Sequence, residues 1–72
     1  MDLHSEREHY RAVIELRTPE GETATVIVTR RECGHAGQVW LTFHGALKTT
    51  LAMNDQEAGQ VIDAIDTARR PR

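Results

Sequence analysis

The chain has 72 residues, a single cysteine and a formal net charge of −2 with a pI near 6.0. That length admits one domain, and the lone thiol excludes an intrachain disulfide while suiting a reducing, cytoplasmic setting. The slightly acidic balance gives no global electrostatic drive towards nucleic acid or an anionic membrane, and no apolar run is long enough to span a bilayer.

Residues 1–9 are charged and histidine-bearing, without a periodicity that would bury a face. They also lack the basic-then-apolar pattern of a signal peptide, so a flexible N-terminal arm is expected there, with a single domain over 10–70. From Tyr10 the pattern alternates, Ala12, Ile14 and Leu16 pointing one way and Arg11, Val13, Glu15 and Arg17 the other. Pro19-Glu20-Gly21 suits a three-residue hairpin loop, because proline presets the first turn residue and glycine tolerates positive φ. Pairing Thr18 with Glu22 sets Leu16 opposite Ala24, Ile14 opposite Val26 and Ala12 opposite Val28, all on one face. The second strand, Thr23 to about Arg31, turns Thr25, Ile27, Thr29 and Arg31 to the other face.

Glu32 to Gln38 reads as a glycine-bearing loop, followed by a third strand, Val39 to His44, in which Val39, Leu41 and Phe43 alternate against Trp40, Thr42 and His44. A fourth strand is expected from Leu47 to Met53. Asn54 then caps a helix, with Glu57 placed to close a capping box and Met53 and Ala58 placed as a staple. Ala58, Val61, Ile62, Ile65 and Ala68 make one apolar stripe, and Pro71 ends the helix near Arg69 and Arg70. The expected fold is α+β: a four-stranded antiparallel β-meander, order 1-2-3-4, with one C-terminal helix packed on one face (ββββα).

One helix is expected to cover the face built from Ile14, Leu16, Val26, Val28, Leu41, Phe43, Leu51 and Met53. The other face then shows Val13, Ile27 and Trp40 at its centre, ringed by Arg11, Arg17, Arg31, His44 and Lys48, an apolar centre with a polar and basic rim. Trp40 reads either as the anchor of a docking surface or as a core residue in a shifted register. A chain this short usually needs a staple, and with no disulfide the expected one is association of identical chains, or a protein partner.

Chemistry-bearing motifs are few. Cys33-Gly34-His35, with His44, His4 or His9, lacks the second ligand pair of a structural zinc site, so neither metal nor cofactor is expected. Cys33 with His35 as its base has no orienting third group. Glu20/Glu22 lie on a turn and Asp63/Asp66 on an outer helix face, where neither pair is desolvated, and Asp55 stands where a phosphate would meet the helix start. No enzyme is expected.

Over roughly Tyr10 to Arg69 the ββββα order resembles the single-stranded-DNA-binding transcriptional coactivator fold, in which chains dimerise and sheet strands hold the polynucleotide. The resemblance implies phosphate contacts from Arg11, Arg17, Arg31 and Lys48 and base stacking on Trp40. Against it stand the negative net charge and a supply of one Trp, one Tyr and one Phe. The tail from Thr50 to Ala58, followed by Val61-Ile62 and Ile65, is similar to the ends of small BldB-type developmental regulators of sporulating GC-rich Gram-positive bacteria. That likeness implies a dimerising, cytoplasmic regulatory protein without known catalysis, and it carries no functional residues over. The expected function is therefore a non-enzymatic regulatory or accessory role, exercised by homodimerisation or partner binding through the exposed sheet face. Single-stranded nucleic-acid binding is the alternative.

Overall fold

The Pro19-Glu20-Gly21 loop sets the register of the first hairpin. In the computed structural model, which describes residues 7–33 and 36–71, Thr18 N–H donates to Glu22 O at 2.8 Å and Gly21 takes φ +93. The pairs Leu16–Ala24, Ile14–Val26 and Ala12–Val28 follow as the hydrophobic pattern requires. The described residues form β1 (Arg7–Arg17), β2 (Thr23–Cys33), β3 (Ala36–Gly45), β4 (Thr49–Met53) and α1 (Asp55–Ala68). The strands make one antiparallel sheet in the order β1-β2-β3-β4, so the fold is the ββββα meander.

The strand limits differ from those the side-chain pattern suggests, because backbone ladders continue where alternation stops. β1 begins at Arg7, with a register shift between Glu8 and Tyr10 that leaves His9 as a bulge. Residues 1–6 lie outside the described part. Pairs Glu32–Gly37 and Cys33–Ala36 carry the ladder through most of the expected loop; Gly34 and His35, and the Cys33 side chain, fall outside the described residues. β4 starts only at Thr49, because Gly45 at φ +96 turns the chain and Ala46 N–H still donates to Thr23 O at 3.1 Å.

The helix start is doubly closed. Glu57 N–H donates to Asn54 Oδ1 at 2.8 Å, and Asn54 N–H donates to Glu57 Oε1 at 2.9 Å. At the far end Asp66 accepts from Arg69 Nε at 3.1 Å and from Arg70 Nη2 at 3.0 Å, and Arg69 serves as the C-cap, just past the last helical turn.

Cross-strand rows sort the two faces. Tyr10–Arg30–Val39–Met53, Ala12–Val28–Leu41–Leu51 and Ile14–Val26–Phe43–Thr49 share the helix side. Arg11–Thr29–Trp40–Ala52 and Val13–Ile27–Thr42–Thr50 share the back. The helix takes the expected side but does not cover it. Among the described elements α1 approaches β3 and β4, leaving Ile14 and Leu16 each 46% exposed. The reason is width: four strands span roughly 19 Å, whereas a helix is about 10 Å across. Among the described residues only Ala24, Val26 and Thr29 are buried. The molecule measures 48 × 28 × 15 Å, and its radius of gyration of 14.5 Å exceeds the about 11 Å of a compact chain of this length.

Candidate interaction surface

On the helix side a groove of about 350 Å³ runs between α1 and the sheet. Tyr10, Val28, Val39, Leu41 and Met53 form its floor, with Ala58, Val61 and Ile62 of the helix as its wall. Its charged member is Arg30, a position where the alternation puts an apolar residue elsewhere. Arg30 Nη1 donates to Asp55 Oδ1 at 2.6 Å and Nη2 to Asp55 Oδ2 at 3.2 Å, a bidentate clamp between β2 and the first turn of α1. Arg30 Nε also donates to Glu32 Oε2 at 3.3 Å, and Glu32 Oε1 lies 3.3 Å from His9 Nε2.

The hydrogen bond from Arg30 holds the Asp55 carboxyl below its ordinary 3.8, outweighing the opposing effect of desolvation. The hydrogen bond to Asp55, then its charge, then the bond to Glu32 push the Arg30 guanidinium further into its charged form. Gly37, directly across from Glu32, leaves room for this clamp: a Cβ there would collide with Arg30 Nη2. The sequence reading missed the clamp, since its partners stand 25 residues apart. The available signal was an arginine in an otherwise apolar row.

The groove's own rim, and the helix beyond it, stay open to water. Ile62 is 64% and Ile65 60% exposed on the helix, and Tyr10 is 59% exposed on β1. The stripe at Ile62 and Ile65 is therefore left largely open to water.

The back face carries most of the residues singled out from sequence. Val13 pairs with Ile27, Arg11 with Thr29, and Thr29 in turn with Trp40, while Arg31 and His44 lie along the same face. Arg17 pairs with Thr23 at the hairpin end and donates to its Oγ1 at 3.3 Å. Lys48 lies off the strands, exposed in the β3–β4 connection. Trp40 is opposite the helix, half-buried, with the Arg31 guanidinium carbon 4.3 Å above its ring and its indole N–H donating to Gln38 Oε1 at 3.0 Å. Thr29 is buried among these side chains, and its hydroxyl finds no partner among the described residues. Sequence reasoning thus placed Val13, Ile27, Trp40, Arg11, Arg31 and His44 on one face, but it put Lys48 on a strand that begins only at Thr49 and did not foresee that the indole is already capped by a cation.

Among the described residues no group of three or more His, Cys, Asp or Glu side chains converges as a metal site would need, and no helix is long and apolar enough to cross a membrane. No protein-family model, curated protein or solved structure matches the chain.

Proposed function

We propose that the chain is a non-enzymatic interaction module that works as a homodimer, in a regulatory or accessory role, and offers its Trp40 face to a protein partner. The observation that carries this reading is the near-lack of an interior. A side chain must leave water to contribute hydrophobic stabilisation, yet among the described residues nine large apolar side chains stay more than two-fifths exposed. Seven of them, Tyr10, Ile14, Leu16, Leu51, Val61, Ile62 and Ile65, belong to the helix side, and apolar surface gathered on one side marks an association site. The groove supports binding rather than catalysis, because its one charged group, Arg30, is already held by Asp55 and Glu32. Sedimentation equilibrium from low micromolar to near-millimolar concentration is expected to give twice the chain mass. A single-chain mass throughout refutes the reading.

The competing reading, a single-stranded nucleic-acid surface, draws on Arg31 over the Trp40 ring and Arg11 in the same cross-strand row, one strand further on. Base stacking on the covered side of the indole requires Arg31 to move away. Titration with a single strand at low salt distinguishes the two: steep salt dependence with Trp40 quenching favours nucleic acid, and a flat titration favours the protein partner.

A further inference from the structure

We infer that the helix side, not the Trp40 side, makes the homodimer, each copy laying the exposed part of its α1 stripe against the exposed apolar row of β1 in the other's sheet. This rests on the homodimer reading above and names its geometry. The sheet is about two helices wide and the chain supplies one, so the missing cover is one helix. The same chain carries that helix with its apolar stripe only partly used: Ala58, Val61 and Ile62 wall the groove, yet Val61 is 41%, Ile62 64% and Ile65 60% exposed. The uncovered strip that would receive it, Tyr10, Ile14 and Leu16, projects from β1 on the same side of the sheet. A donor and an acceptor on one side of one chain satisfy each other through a two-fold axis, which is what an isologous contact demands.

The areas agree. A compact monomer of 8.1 kDa exposes about 4,500 Å², and this chain exposes 5977 Å². The excess of about 1,500 Å², taken over the whole chain and both faces, is larger than the about 800 Å² that each partner gives to a standard interface. A net charge of −2 opposes self-association only slightly.

The test compares three side chains that are all substantially exposed in the single chain. Ile62→Glu on the helix and Ile14→Lys on β1 each place a charge in the inferred contact, and Val13→Glu places one on the back face. Each helix-side variant is expected to weaken the dimer about 1,000-fold, because a buried anchor is worth roughly 30-fold and symmetry counts it twice. Val13→Glu is expected to sediment as the wild type does. Mixing the Ile62→Glu and Ile14→Lys chains is expected to restore a dimer, since one of its two contacts then pairs glutamate with lysine. Far-UV circular dichroism identifies any variant that fails to fold, and the remaining helix-side variant then decides. Dissociation by Val13→Glu alone, or dimers that persist in both helix-side variants, overturns the inference while leaving the homodimer reading intact. Two monomeric variants that do not complement overturn the reciprocal arrangement. A monomeric wild type overturns both.

Discussion

Gly21 and Gly45 take nearly the same backbone angle, φ +93 and φ +96, in different surroundings. Alanine at either position adopts a left-handed conformation at a cost of about 1 kcal/mol or more. At Gly21 the added Cβ meets nothing within 4 Å, so that term stands alone. At Gly45 it would lie 2.8 Å from Thr23 O and 3.5 Å from Ala24 Cα. Thr23 O cannot turn aside, because it also accepts from Ala46 N–H at 3.1 Å. The β2–β3 ladder must open there, at a further cost of about 1 kcal/mol for that bond. Gly45→Ala should therefore lose about 2–3 kcal/mol and Gly21→Ala about 1 kcal/mol, with an unfolded-state gain of about 0.5 kcal/mol common to both. A chain of this size holds about 4–11 kcal/mol in total, so the difference is well within reach of urea unfolding at one fixed protein concentration. Equal midpoints for the two variants would refute the steric argument.

Three further outcomes follow from the helix and its clamp. Asn54→Ala removes the acceptor for Glu57 N–H and should destabilise by about 1 kcal/mol in thermal melts. Gly59→Ala meets open space within the chain and should stabilise by about 0.5–1 kcal/mol; a loss instead means another backbone occupies that space. Asp55 titrates below 3.8 when folded, so its stabilising contribution is present above that value and fades as pH falls through the folded value. Melting temperatures from about pH 5 to about pH 3 should therefore fall less steeply in Asp55→Asn than in the wild type. Parallel slopes would show that the clamp does not couple to folding.

Much of the architecture was legible because its causes are local. The register of β1 on β2 follows from Pro19-Glu20-Gly21 together with period-two alternation, and the helix start follows from Asn54 and Glu57. Strand ends were less legible: Glu32, Cys33, Ala36 and Gly37 carry no alternating pattern, yet their backbone pairs continue the ladder. Trp40's face was readable from parity, but its Arg31 cap was not, since side-chain direction is settled by neighbours on another strand.

The order of residues alone determined four strands, one helix and which side chains share a face, because periodicity and caps act within a few residues. Only the tertiary structure decided how much of the sheet the helix shelters, since that depends on the width of four paired strands against the breadth of one helix. It also decided that Arg30 would reach Asp55 across the room left by Gly37, a contact that exists only once the meander has brought β2 to the foot of α1. The apolar surface left open on that side of the sheet is a consequence of the same geometry, with Ile14, Leu16 and Ile62 all exposed.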